Sequence, residues 1–196
     1  IEDDVYGDLA GGAQRPPACK AFDKGGNVIY CSSLSKTLAP GWRIGWIAAG
    51  RYYPAVLQAR MAGEWAGAPL IEAAANEILA SGDYDRHLRH LKLRIAEGMR
   101  AIIARVDACF PPGTRVAAPE AGFLIWVKLP SGIDALEVHR RALALGIGVS
   151  PGPLFSPGAA ELQNYLRLNG ANEPTPALLQ AVEQLGSLCH ELVGGR

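Results

Sequence analysis

Apolar and polar positions change period several times along the chain, and each change marks an element. Residues 1–6 read as a short strand running into acidic loop residues, and Gly11-Gly12 with Pro16-Pro17 make the next segment irregular. One apolar run predicts a strand over 27–31, and another predicts a buried strand over 44–49, closed by Gly50. Pro54 suits the first turn of a helix over 55–62, which Gly63, Gly67 and Pro69 interrupt. A second helix is expected over 70–80, ended by Ser81-Gly82. The clearest helix covers 84–110. There Leu88, Leu91, Ile95, Met99, Ile102 and Val106 recur at three- and four-residue steps as one apolar stripe, until Pro111-Pro112 stops it.

Past this helix the pattern is that of a small α+β domain. Residues 123–129 form a strand, with Trp126 expected in the core. Asp134 and Glu137 give a capping-box-like start to a helix that ends before Gly146. A short strand over 147–150 leads into a Pro- and Gly-rich loop over 151–158, read as a connection, with the lining of a substrate cleft as the sharper alternative. Residues 165–169 form a strand, and Thr175-Pro176 opens an amphipathic helix carrying Leu178, Leu179, Val182, Leu185, Leu188 and Leu192.

Composition narrows the class. The chain has 196 residues, 49% hydrophobic and 19% charged, enough for one large core or two small ones. Its formal net charge of zero gives no global attraction to nucleic acid or an anionic membrane. Cys19, Cys31, Cys109 and Cys189 show no CxxC pair and no metal-ligand spacing, so they read as reduced thiols of a cytoplasmic protein. No stretch reads as a signal peptide, and no apolar run is long enough to span a bilayer. The chain opens without methionine, as though at the end of a strand, and so reads as a fragment of a longer protein.

The candidate chemistry lies between the two early apolar runs, in Tyr30-Cys31-Ser32-Ser33-Leu34-Ser35-Lys36-Thr37-Leu38-Ala39-Pro40-Gly41-Trp42-Arg43-Ile44-Gly45-Trp46. This reads as strand, reactive loop, strand. Desolvation disfavours an ammonium, so a lysine held just past a buried strand is a candidate neutral amine, able to attack a carbonyl and form a Schiff base. The serines and Arg43 are suitable donors for a phosphate. An imine-forming lysine beside a phosphate site is what pyridoxal phosphate requires. Ser33-Leu34-Ser35-Lys36 also satisfies the Ser-x-x-Lys pattern of serine acyl-transfer enzymes, but the Lys-Thr-Gly strand and Ser-Asp-Asn loop of that chemistry do not occur. There is no Gly-x-x-x-x-Gly-Lys phosphate loop. His87 and His90, with Arg86, Arg89, Lys92 and Arg94, form a basic patch that reads as a solvated helix face rather than a metal or DNA site.

The segment from Ser33 to Trp46 resembles the lysine segment of fold-type I, aspartate-aminotransferase-like enzymes. Asp3 and Tyr6 before it, and Arg167 in Tyr165-Leu166-Arg167-Leu168-Asn169 after it, keep that family's order over nearly the whole chain. The resemblance implies an α/β fold, the C-terminal part of a pyridoxal-phosphate-dependent transferase-like fold. Residues 1–83 would be the remnant of the large, mostly parallel-sheet domain, and 84–196 the small α+β domain. It also implies roles. Asp3 would face the pyridine nitrogen and keep it protonated, with Asp4 the rival if the register slips by one. Tyr6 would hydrogen-bond the ring's phenolic oxygen. Lys36 would form the internal aldimine and, once displaced by substrate, move the proton between the substrate α-carbon and the cofactor. Ser33 and Arg43 would hold the phosphate, with Ser35 a further candidate. Arg167 would bind a substrate carboxylate through two parallel hydrogen bonds. The family's other phosphate donors, its stacking ring and its asparagine beside the phenolic oxygen come from an earlier half that 1–196 does not contain.

A narrower likeness concerns residues 1–6, Ala48-Ala49-Gly50-Arg51-Tyr52, residues 81–88 and residues 148–156, which resemble the MocR-type branch of GntR transcriptional regulators. That implies an effector-sensing, dimerising, aminotransferase-like module. It would bind pyridoxal 5'-phosphate and an amino-acid-like small molecule, form a homodimer, and meet DNA only through an N-terminal winged-helix domain outside this chain. The alternative is a free-standing aminotransferase acting on an amino acid and a 2-oxo acid. Trp65-Ala66-Gly67-Ala68-Pro69 departs from the threonines common in that branch.

Overall fold

Short apolar runs bounded by turns become strands here, and the long three-four repeat becomes one continuous helix. The computed structural model describes residues 1–11, 15–63, 66–117, 119–158 and 161–194; Gly12 and Trp65, both noted above, lie outside the described residues. The chain divides into two units, Ile1–Lys92 with Glu120–Gly122, and Leu93–Pro119 with Phe123–Arg196.

In the first unit, β1 (Glu2–Asp3) runs parallel to β2 (Tyr30–Ser33), and β2 pairs antiparallel with β3 (Gly45–Ala48). β2 begins later than the apolar run predicted, because its partner β1 starts at Glu2, opposite Tyr30. The ladder therefore carries two of the serines, and Ser33 sits opposite Gly45. A methyl group at Gly45 would stand 2.8 Å from the Ser32 carbonyl oxygen, so only glycine admits that closeness. β3 is not the buried strand expected over 44–49. All four of its residues are exposed, Trp46 at 41% and Ile47 at 54%, because β3 is an edge strand and no layer of the described residues of this unit covers it. Helices α1 (Tyr53–Gly63) and α2 (Pro69–Ala80) follow, and α3 (Asp83–Cys109) begins in this unit.

A carboxylate clasp closes the turn before β2. Asp23 accepts the backbone N–H groups of Val28 (2.8 Å) and Asn27 (2.9 Å), with the Lys20 ammonium at 3.2 Å. The N–H groups of Val28 and then Asn27, joined by Lys20, lower the Asp23 pKa from 3.8 to about 2. A depressed folded-state value means that this stabilisation is complete above the unfolded value and is lost as pH falls through the folded one. Asp23→Asn is therefore expected to flatten the acid limb of stability between pH 3.8 and about 2, read as the urea midpoint at each pH. An identical slope in wild type and variant would contradict it.

In the second unit, β4 (Arg115–Ala117), β5 (Leu124–Lys128), β6 (Ser150–Pro151) and β7 (Tyr165–Asn169) form an antiparallel sheet in the order β4-β5-β7-β6. Side chains alternate across it. Ile125, Val127, Leu166 and Leu168 are buried on one face, while Trp126, Lys128, Tyr165 and Arg167 stand on the other. Trp126 is thus not in the core, as its apolar run suggested; it is half-buried among aromatic neighbours. β6 is shorter than the strand expected over 147–150: residues 147–149 lie outside the ladder, and the strand is Ser150 with one residue beyond the expected range, the edge residue Pro151, which needs no ladder N–H.

The helices supply the rest of this core. Ile95, Met99, Ile102 and Val106 of α3 are buried, as the stripe predicted. So are Val182, Leu185 and Cys189 of α5 (Pro176–Gly194). Burial pushes the Cys189 thiol up to about 12, which suits a packing residue, and all four cysteines are free thiols. Asp134 caps α4 (Ala135–Ala144) by accepting the Leu136 N–H at 2.9 Å. Glu137 does not complete a capping box; its carboxylate is taken by Arg141 (2.6 Å) and Arg140 (2.7 Å). Among the described residues, no helix is long and apolar enough to cross a membrane.

Candidate functional site

The lysine loop is wound on one buried side chain. Leu34 is 1% exposed, and its carbonyl accepts the N–H groups of Leu38 (2.9 Å), Ala39 (3.1 Å) and Thr37 (3.3 Å). Its own N–H donates to the Ile44 carbonyl at 3.1 Å, which ties the two ends of the loop together. Lys36 rides on the crest of this turn with its side chain exposed. The desolvation argued from the sequence is therefore not supplied by the described residues, because neither β2 nor β3 is buried beneath the loop. What this chain does supply is a fixed pedestal for an accessible amine.

Beside it, the three residues expected to hold a phosphate converge. The Ser35 N–H donates to Ser33 Oγ at 3.3 Å, and Arg43 Nη1 donates to Ser35 Oγ and the Pro40 carbonyl, both at 3.4 Å. The geometry comes from Pro40-Gly41-Trp42, a single 3-10 turn, followed by Arg43 in the left-handed region at φ 53°. A non-glycine residue there costs roughly 1–2 kcal/mol. The surrounding turn holds that conformation, and it folds the guanidinium back over the loop. Two hydroxyls and a guanidinium fork are acceptable partners for a phosphate dianion.

Strand alternation turns the two aspartates to opposite sides. Glu2 and Asp4 share one side of the opening segment, and Asp3 faces the other. Glu2 accepts the N–H groups of Cys19 (2.7 Å) and Lys20 (2.9 Å). Asp4 accepts the Tyr30 hydroxyl at 2.8 Å and is ion-paired with Arg15, which also holds Asp8 at 2.5 Å. Asp4 is thus committed to structure. Asp3 is exposed, opposite Cys31 in the ladder, with its Oδ1 accepting the Val5 N–H at 3.4 Å. The Tyr6 ring lies against Gly122, where a methyl would come 3.1 Å from Tyr6 Cδ1 and where φ is 83°. Nothing in the sequence points to that contact, since it joins residues far apart in the chain.

Sequence reading also missed the partners of Thr37. This threonine is 3% exposed; its Oγ1 lies 2.9 Å from the Tyr84 hydroxyl, and its carbonyl oxygen lies 2.7 Å from His87 Nε2. His87 therefore does more than sit in a solvated basic face. Among the described residues, no group of His, Cys, Asp and Glu could hold a metal ion.

Arg167 belongs to the second unit. It stands opposite Trp126 in the β5–β7 ladder, and its guanidinium lies 3.8 Å from the centroid of the Phe155 ring. Phe155 meets Trp126 edge-on at 5.5 Å, and Trp126 meets Tyr165 at 6.2 Å. The stack on Phe155 orients the guanidinium plane while leaving its N–H fork for an anion.

The chain is similar to known proteins over nearly its whole length. The family described as aminotransferase class I and II matches residues 1–185. The uncharacterized HTH-type transcriptional regulator YdcR of Escherichia coli is 34% identical over 191 residues, 97% of this chain and 41% of that protein. Aromatic-amino-acid aminotransferase 1 of Thermococcus litoralis is 29% identical over 192 residues, 97% of this chain and 46% of that protein. The crystal structure of LysN, an alpha-aminoadipate aminotransferase of Thermus thermophilus complexed with N-(5'-phosphopyridoxyl)-L-leucine, superposes with a TM-score of 0.89 at 28% identity. It covers 100% of this chain and 51% of that one. The chain thus spans about half the length of these proteins, or less.

Proposed function

Because the chain belongs to the aminotransferase class I and II family, we propose that it is the pyridoxal-phosphate-binding, aminotransferase-like module of a MocR-type transcriptional regulator that senses an amino-acid-like ligand. The observation that carries the binding role is Lys36, exposed on a clamped loop beside Ser33, Ser35 and Arg43. The donor set fits the cofactor: hydroxyls and a guanidinium for its phosphate, a free amine for its aldehyde, an exposed carboxylate for its ring nitrogen. When bound, pyridoxal phosphate supplies an electrophilic carbon and a protonated ring that accepts electron density.

The residues of this chain would do the rest. Ser33, Ser35 and Arg43 hold the phosphate by charge-assisted hydrogen bonds. Asp3 keeps a proton on the ring nitrogen, and Tyr6 donates its hydroxyl to the phenolic oxygen. Lys36 offers its amine to the aldehyde and, when freed as a base, moves a proton at the ligand's α-carbon. Arg167 offers its fork to the ligand carboxylate. Phe155→Ala, which removes the surface on which Arg167 lies, is expected to weaken binding of an amino-acid ligand to the full chain about fivefold, by titration calorimetry. Unchanged affinity would contradict the orienting role of the stack.

The regulator reading draws on the 34% identity to a transcriptional regulator, against 31% to an aminotransferase. The alternative, a free-standing aminotransferase, draws on the aminotransferases among the relatives and on the likeness to LysN. Fold cannot choose between them. Adding an amino acid and then a 2-oxo acid to the loaded full chain separates the two. A sensor is expected to change its absorbance once and release no new amino acid. Sustained production of one would favour the enzyme.

A further inference from the structure

We propose that Tyr84 and His87 are positioning residues for Lys36, acting through Thr37. The proposal rests on the reading of Lys36 as the amine that captures pyridoxal phosphate. Every polar group of Thr37 is engaged. Its N–H donates to the Leu34 carbonyl at 3.3 Å, its carbonyl accepts from His87 Nε2 at 2.7 Å, and its hydroxyl meets the Tyr84 hydroxyl at 2.9 Å. Among the described residues, Thr37 is the one polar residue that is buried.

The direction of the hydrogen bonds follows from elementary bookkeeping. The Asp8 carboxylate can only accept, so the Tyr84 O–H donates to Asp8 Oδ2 at 2.9 Å. The phenolic oxygen is then left to accept from the Thr37 hydroxyl. Asp8 is held in turn by Arg15 at 2.5 Å. Burial, opposed by the Thr37 hydrogen bond and reinforced by Asp8, pushes the Tyr84 phenol up to about 12, so the donor stays protonated at any working pH. His87 likewise acts as an N–H donor to a carbonyl. The result is a one-way chain, Thr37 to Tyr84 to Asp8, with a second clamp from His87.

Tyr84 and His87 are three residues apart near the start of α3, so they share a face of that helix. One rigid face thus grips Thr37 at its side chain and at its carbonyl, while buried Leu34 anchors the other flank of the loop. Lys36 lies between the two anchors. The backbone on both sides of it is pinned, which narrows the positions its Cα can take and leaves mainly its own side-chain torsions to be set. An amine presented from a fixed Cα approaches a carbonyl in few orientations, which is the entropic part of a rate advantage. A buried apolar residue at position 37 would fill the same space without holding the loop, so packing alone does not account for a threonine with two dedicated partners.

The test uses the full chain with pyridoxal phosphate and follows two quantities: the rate of cofactor capture by absorbance, and the site of capture by borohydride fixation and peptide mapping. Thr37→Val and Tyr84→Phe are expected to slow capture about tenfold, and Thr37→Ser, which keeps the hydroxyl, to restore it to within about twofold. His87 is exposed, so His87→Ala tests the second clamp without opening a core; about a fivefold slowing is expected. If wild type captures at Lys36 and Thr37→Val, Tyr84→Phe and His87→Ala all match its rate, the positioning role is overturned and the cofactor reading stands. If Thr37→Ser is as slow as Thr37→Val, the hydroxyl chain is overturned. If wild type does not capture at Lys36, the cofactor reading falls and the inference with it.

Discussion

Lys36→Ala in the full chain is expected to abolish covalent capture of pyridoxal phosphate and to lower any amino-group transfer by about a thousandfold, while leaving the fold intact. The two halves of this expectation come from the same observation. Lys36 is exposed and sits on a turn whose hydrogen bonds are made by Leu34, Thr37, Leu38 and Ala39, not by its own side chain. Removing an exposed side chain of this kind changes stability by no more than about 0.5 kcal/mol. Removing a nucleophile that doubles as the proton carrier costs chemistry on the order of a hundred- to ten-thousandfold. Lys36→Arg should behave like the alanine variant, since a guanidinium keeps the charge but is no nucleophile at neutral pH. Thermal unfolding monitored beside cofactor absorbance checks both halves. A variant that still captures cofactor, or that unfolds well below wild type, would contradict the account.

Gly98→Ala is expected to destabilise the protein by about 1–2 kcal/mol, although the substitution lies inside a helix. In an open helix it would help by about 1 kcal/mol, because alanine is the better helix former. At position 98 a methyl would overlap the Gly170 carbonyl oxygen and stand 2.7 Å from that of Asn172. Both obstacles are backbone atoms just past β7, so neither can swing aside as a side-chain tip would. Overpacking of this kind costs about 1–3 kcal/mol, or more where the backbone must move, and it outweighs the helix preference. Gly63→Ala is the control: it also lies in a helix, with nothing within 4 Å of the added carbon, and should be neutral or slightly stabilising. Denaturant unfolding of the two variants checks the difference. Equal stability would show that β7 shifts freely, and would weaken the claim that Arg167 is rigidly placed.

Much of this was legible in the sequence where one residue type serves one period or one chemistry. The stripe through Ile95, Met99, Ile102 and Val106 gave α3 within a residue of its ends, since helix period and burial agree along it. The grouping of Ser33, Ser35, Lys36 and Arg43 was legible because the hydroxyls, the amine and the guanidinium share one loop. Other features were not legible, for identifiable reasons. Trp126 and Ile125 are both apolar, and only the register decides that Ile125 faces the core while Trp126 stands beside Arg167. β3 carries an apolar sequence yet is exposed, because burial depends on what covers a strand and not on its own composition. Thr37, Tyr84 and Asp8 form one chain of hydrogen bonds across sequence separations of 47 and 76 residues, and no local pattern encodes such a meeting. Asp3 and Asp4 are chemically equal in sequence; the Arg15 pair and the Tyr30 hydroxyl separate them in space.

The most direct test of the central claim is where borohydride fixes a pyridoxyl group on the full chain. Trypsin cuts after Lys24, Lys36 and Arg43 in this region, and a modified Lys36 blocks the middle cut. The account predicts that the label appears on a single peptide of residues 25–43, recovered uncleaved at Lys36. A label on any other lysine, or no label at all with residues 25–36 and 37–43 recovered separately, would contradict it.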